Sequence, residues 1–156
     1  MHIIPANESH IPGIIALLRQ VGQVHHEIRP DIFRTGALKY TPEDLKAILR
    51  NPEMPIFVAT KGELVAGYCF CQHRAYTGSG VLTDRKEIYI DDLCVDESCR
   101  GQGIAKMLYY HVCEYAKNKG CAFITLNVWE GNDGARIFYD KMGMTPRSTN
   151  MEMKLC

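Results

Sequence analysis

Apolar positions along the chain fall at helical spacing near its start and at strand spacing through its middle, so helices and strands are expected to alternate. Ile11, Ile14, Ile15, Leu18 and Val21 form one stripe, which predicts a helix over about 11–24 after a short strand at 2–5. Leu45, Ile48 and Leu49 form the buried side of a second helix. Thr41 and Asp44 read as its capping box, with aspartate in the glutamate role, and Pro42 suits the first helical position. Residues 56–60 and 64–73 read as a hairpin around Lys61-Gly62. A strand follows at 88–95, a turn at 96–98, and from Gly103 the pattern becomes helical until about Lys119, just before Gly120. Then come a strand at 122–129, a helix at 132–142, and a closing strand at 150–155 with Met151, Met153 and Leu155 on one face. No repeat or low-complexity segment interrupts this order.

Composition narrows the class without naming it. A chain of 156 residues is expected to be one domain, 1–156, able to bury roughly 68–70% of its unfolded surface. Eighteen basic and eighteen acidic residues leave a formal charge of zero, which argues against a general nucleic-acid or anionic-membrane binder, since both depend on basic excess. No apolar run has the length of a membrane span, and the start MHIIPANESH lacks the basic region and apolar core of a signal peptide, so a cytoplasmic location is expected. The seven cysteines are odd in number, scattered through core elements and without a Cys-x-x-Cys pair, which reads as free thiols rather than disulfides or a metal site. His25, His26 and Glu27 are consecutive and cannot converge on one ion without strain, so no metal is expected. His111, among Ile104, Met107, Leu108 and Tyr115, reads as packed core.

The candidate chemistry begins in IYIDDLCVDESCRGQGIAKM, residues 88–107, where a strand, a glycine turn and a helix start succeed one another. Arg100, Gly101 and Gly103 bring backbone N–H groups to the first helical turn, where unpaired donors and the positive dipole end suit a phosphate or diphosphate. The dipole supplies only about 0.3–2 kcal/mol, so several N–H bonds must supply the rest. A Rossmann fingerprint fails because Lys106 stands where a third small residue is needed, and a Walker loop fails for want of Gly-Lys-Ser/Thr. Arg100 to Ala105 instead reads Arg-x-x-Gly-x-Ala, which resembles the pyrophosphate loop of the GNAT superfamily of acyl-CoA-dependent N-acyltransferases. Downstream, Asn132, Ala135 and Tyr139 recur as Asn-x-x-Ala-x-x-x-Tyr, and Gly143 closes that helix, like the family's other signature. The two blocks cover about a third of the chain.

The resemblance implies an α/β (α+β) fold: a central mixed, mostly antiparallel twisted sheet of six to seven strands, flanked by about four helices and splayed at the cofactor site. It also implies transfer of an acetyl group from acetyl-CoA to a small-molecule or peptide amine, with acetyl-CoA as co-substrate and no metal. Leu93, Cys94 and Val95 are then expected to pair with the pantetheine amides as a pseudo-strand. Arg100, Gly101, Gln102, Gly103, Ile104, Ala105 and Lys106 are expected to hold the diphosphate, Asn132 to meet the pantetheine arm, and Lys141 to remain solvated or reach a phosphate. Tyr139 takes the family's acid role, its ordinary pKa of about 10 lying near the ~8.5 of a thiol. Chains of this resemblance are often homodimers, which the closing strand could serve.

The base is less closely defined. Regular alternation puts Glu87, Tyr89, Asp91, Leu93 and Val95 on one face and Ile88, Ile90, Asp92 and Cys94 on the other, unless a bulge re-aims one of the aspartates. Asp91 acting through water is favoured, because polyamine-acetylating members of the superfamily carry an acidic pair here; Asp92 and Glu87 are the alternatives. No histidine stands beside Cys94 or Cys99 in sequence, so direct transfer is expected rather than an acyl-enzyme. Acceptor choice is assigned to 25–40 and 74–85. The competing reading is an acyl-CoA-binding sensor without turnover, which would need neither Tyr139 nor the aspartates.

Overall fold

The computed structural model describes residues 1–156, and every expected element but one is found. Strand β1 spans His2–Pro5, helix α1 Ile11–Ile28, helix α2 Pro42–Leu49, strand β2 Ile56–Lys61 and strand β3 Leu64–Tyr76. Strand β4 spans Arg85–Val95, helix α3 Ile104–Asn118, strand β5 Phe123–Leu126 and helix α4 Asp133–Lys141. The capping box at α2 is reciprocal: the Asp44 N–H donates to Thr41 Oγ1 at 3.1 Å, and the Thr41 N–H donates to Asp44 Oδ2 at 2.9 Å. Helix α1 outruns its expected end near Val24, and its last turn is held to the segment that follows. His25 stacks on Phe33 with ring centroids 5.0 Å apart, and the His26 ring bonds the Phe33 carbonyl at 2.7 Å.

The strands form one five-stranded sheet in the order β1-β2-β3-β4-β5, antiparallel except for the parallel β4–β5 pair. Apolar clusters cover both faces. Ile14, Leu17 and Leu18 of α1 and Leu45 of α2 pack on Val58, Tyr68 and Phe70. On the other face, Ile104, Leu108 and Val112 of α3 pack on Ala66, Cys69, Ile88 and Ile90. Gly67 of β3 admits that helix, since a Cβ there would stand 2.9 Å from the Cys94 carbonyl oxygen and 3.2 Å from a Leu108 methyl. No helix is long and apolar enough to cross a membrane.

The sheet has five strands rather than six or seven, because the closing strand does not form. Residues 145–156 run without secondary structure and make no backbone hydrogen bond to the sheet. They are tethered by charge: Arg147 reaches Glu87 at 3.4 Å, and Glu152 reaches Arg29 at 2.6 Å. Met151, Met153 and Leu155 alternate as a strand would, yet each is more than 80% exposed. The alternation was legible in sequence, but a strand also needs a free edge in register, and β5 does not take this segment up.

Candidate active site

Strand β4 carries the acidic pair, and a bulge decides where each aspartate points. Ile90 pairs with Cys71 and Asp92 with Phe70, so Asp91 is an extra residue without a partner on β3. The phase of the strand changes there. Ile88 and Ile90 face α3, and Leu93 and Val95 pack on that same face. Cys94 lies with the α1 and α2 cluster instead. Unbroken alternation, which would place Asp91, Leu93 and Val95 on one face, is therefore corrected at this position.

Strands β4 and β5 also part at the bulge. Their ladder runs from Glu87–Phe123 to Ile90–Leu126 and stops. Beyond it, Asp92 to Val95 remain bonded to β3 but present an open edge toward the chain after β5. The gap is a cleft of about 380 Å³. Asp91, Asp92 and Leu93 line it together with Tyr139, Asn132, Trp129 and residues of 25–39. The other segment assigned to acceptor choice, 74–85, contributes nothing to it.

The two carboxylates have different surroundings. Asp91 Oδ2 accepts from the Tyr40 hydroxyl at 2.6 Å, and Oδ1 stands 3.0 Å from Lys39 Nζ, so both oxygens are occupied. Asp92 Oδ2 accepts from the Tyr68 hydroxyl at 2.7 Å, the Leu93 N–H lies beside the carboxylate, and no cation is paired with it. Burial pushes the Asp92 pKa up to about 6, against the smaller opposing effects of the Tyr68 bond and the nearby Lys39 charge. Glu87, the third candidate, is fully buried and committed elsewhere. Thr125 Oγ1 donates to it, and Arg147 and Arg85 stand 3.4 and 3.9 Å away.

Helix α4 brings Tyr139 to the same cleft. Asn132 caps that helix, its Oδ1 accepting from the Ala135 N–H at 3.4 Å, and it lines the cleft as well. The Tyr139 ring packs edge-on against Phe138 with centroids 5.1 Å apart, and its hydroxyl makes no hydrogen bond within the protein. Burial, followed by the neighbouring Cys69, Asp92 and Tyr109, raises its pKa well above the ordinary phenol value. The phenol therefore stays protonated at any working pH. Full transfer of its proton to a thiolate is uphill rather than the near-even exchange expected from an unperturbed phenol. Such a phenol can give a strong hydrogen bond, from a fixed position, to an anion in the cleft.

A second cleft, of about 500 Å³, opens at the start of α3. Gly101 and Gly103 have φ of +79° and +77°, the left-handed region that turns successive N–H groups toward one concavity. Arg100, Lys106 and Lys141 line this cleft with Val95, Ile104 and Ala105, and none of the three cations has an acidic partner. The loop is braced from α1: Gln20 donates to Asp96 Oδ2 at 3.2 Å and accepts from the Glu97 N–H at 3.1 Å. Unpaired cations around convergent N–H groups suit a diphosphate. Leu93 lines the first cleft and Val95 the second, so the open edge of β4 links them.

Burial and the neighbouring Asp92 push the Cys94 thiol up to about 12, so it is not a thiolate at neutral pH. Cys99 is buried and lines only the second cleft. His111 is half-buried edge-on against Phe57, with ring centroids 4.7 Å apart. Tyr40, Tyr68, Lys39 and Gln20 escape a reading of the sequence. Their roles are set by contacts across 24 to 77 positions, with no local pattern to mark them.

The family model for the Acetyltransferase (GNAT) family matches residues 21–144. The chain belongs to that family, and its class is that of an acetyl-CoA-dependent N-acetyltransferase. Thialysine N-epsilon-acetyltransferase of Mus musculus is 33% identical over 151 residues, covering 88% of this chain and 80% of the relative. Glucosamine 6-phosphate N-acetyltransferase of Trypanosoma brucei brucei is 33% identical over 67 residues, 43% of this chain and less than half (44%) of that protein's length. Among solved structures, a variant of the BH1408 protein of Bacillus halodurans superposes with a TM-score of 0.96 at 29% identity, over the whole of both chains.

Proposed function

We propose that the chain transfers the acetyl group of acetyl-CoA directly to a cationic aliphatic amine, with Asp92 as base and Tyr139 as donor to the departing sulfur. One observation carries this reading: Asp92 and Tyr139 come from separate elements and meet in one cleft, beside an open strand edge that leads to a cationic glycine loop. Thialysine, the substrate in the mouse relative's name, is an amine of the proposed kind. The thioester supplies an activated acetyl group; the protein must neutralise the amine and steady the sulfur. An amine of pKa ~10.4 costs about 4–5 kcal/mol to deprotonate at pH 7, so it needs a base within reach. Asp92 has no cation paired with it and a pKa raised to about 6, close to working pH, whereas Asp91 has both oxygens engaged by Tyr40 and Lys39. Asp91 is assigned instead to orienting Lys39 and Tyr40 at the cleft. The raised Cys94 thiol supports direct transfer over an acyl-enzyme. Incubation with acetyl-CoA and a panel of amines should give free thiol matched by acetylated amine; acetyl-CoA binding with no acetylated amine from any member would favour a sensor instead.

In the same reading Leu93 to Val95 pair with the pantetheine arm, the loop from Arg100 to Lys106 holds the diphosphate, and Asn132 borders the arm. At a hundred times its dissociation constant, coenzyme A should stabilise the fold by about 2.7 kcal/mol. Gly103→Asp forces a side chain into a left-handed position and sets a negative charge among the N–H donors. The melting shift given by coenzyme A should then disappear. A variant that kept the full shift would remove the loop from the binding site.

A homodimer is proposed from the same chain. Its β5 edge is unpaired and its segment 145–156 has strand alternation without a partner, so two copies exchanging that segment would satisfy both. Light scattering should give a dimer, and a chain ending at Thr149 should give a monomer. A monomer from the whole chain at high concentration would contradict the exchange.

A further inference from the structure

We infer that the acceptor is an amino-acid-like molecule, with an amine at one end, a short aliphatic stem and a carboxylate at the other, the carboxylate being recognised by Arg34. The inference rests on the amine-acetylating reading above and specifies its substrate. The cleft holds more charge than the chemistry requires, and half of it is already paired. Lys39 and Asp91 face one another at 3.0 Å. His25 is held toward its neutral form by burial and by the Lys39 charge. Two charges remain without an opposite partner in the protein: the carboxylate of Asp92, which has no cation within 4.0 Å, and the guanidinium of Arg34, which has no carboxylate within 4.0 Å.

Arg34 stands out within its own segment. Arg29 is bound by Asp31 and Glu152, and Lys39 by Asp91, whereas Arg34 lines the cleft unpaired. A free cation and a free anion in one small cleft are complementary to a zwitterion, with the ammonium toward Asp92 and the carboxylate on the guanidinium fork. The walls between them are mostly apolar, which suits methylene groups. At about 380 Å³ the cleft is near the lower end of small-molecule sites, so the acceptor is a single small molecule rather than a folded protein segment.

The test compares L-lysine with cadaverine, which lacks the carboxylate, and with lysinamide, which masks it. Lysine should have a KM about 10–100-fold below both, as one charge-assisted bidentate contact would give, with similar kcat. Arg34→Ala should raise KM for lysine by that factor and abolish the preference for lysine over cadaverine and lysinamide; Arg34→Lys should restore part of the difference. Trp129 is the only tryptophan and lines the cleft, so its fluorescence reports acceptor binding without turnover. Equal KM values for the three amines, or equal effects of Arg34→Ala on all of them, would overturn the inference while leaving amine acetylation intact. If no amine were acetylated but fluorescence still showed Arg34-dependent preference for lysine, the carboxylate site would stand and the acetyltransferase reading would fall.

Discussion

Replacing Tyr139 by phenylalanine is expected to lower turnover by roughly 10²–10⁴-fold, the usual effect of losing a positioned proton donor, while coenzyme A binding persists. The substitution removes one oxygen and keeps the ring that packs against Phe138 and Tyr109. The lost hydroxyl has no partner in the protein, so no buried group is left unsatisfied, and stability should change by no more than about 0.5 kcal/mol. Melting, cofactor titration and steady-state rates on one preparation separate the outcomes. A large fall in rate with unchanged melting and unchanged cofactor affinity is expected. Unchanged turnover would remove Tyr139 from the chemistry, provided a burst experiment showed that product release was not already limiting.

Replacing Asp92 by asparagine should give a fall of similar size, with a different dependence on pH. In the parent, the rate should rise with pH through about 6 as Asp92 ionises, and continue to rise as free amine becomes more abundant. In Asp92→Asn the step near 6 should be missing, and the deficit should shrink at high pH, where the amine needs no base. Stability supplies an independent check on the assignment. The folded pKa of this carboxyl lies above its unfolded value of about 3.9, so the native state binds more protons across pH 4 to 6 and the parent loses stability as pH rises through that window. Asparagine cannot ionise but can still accept from Tyr68. The variant should therefore melt at or above the parent temperature at pH 7 while being far less active. Asp91→Asn should do neither; it should loosen Lys39 and Tyr40 and act mainly on KM. Were Asp91→Asn to abolish the step near 6 while Asp92→Asn kept it, the two roles would be exchanged.

Most of the architecture was legible because it is written in local patterns. The stripe in α1, the Thr41–Asp44 box and the glycines at 62, 103 and 120 each mark an element by a few neighbouring residues. The glycine loop and Tyr139 were legible for the same reason, since their motifs lie within 6 and 8 consecutive positions. The direction of the aspartates was not. One unpaired residue in β4 reverses the phase of everything after it, and that depends on how β3 and β4 register across the sheet. The partners that distinguish Asp91 from Asp92 lie far away in sequence: Tyr40 and Lys39 for the first, Tyr68 for the second. The closing strand fails to form on the opposite ground. Alternation at Met151, Met153 and Leu155 describes what the segment can do, while pairing depends on an edge that this chain does not close upon itself.

Direct transfer of acetyl from thioester to amine in the cleft between β4 and β5 leaves no acetyl on the protein. It is tested most directly by mixing the protein with one equivalent of acetyl-CoA and excess lysine, quenching over a single turnover, and measuring free thiol, acetylated amine and acetylated protein together. Thiol and acetylated amine should appear at one rate and in equal amounts, with no acetyl on the protein at any time. Acetylated Cys94 or Cys99 formed before the amine product, or thiol released with no acetylated amine, would contradict it.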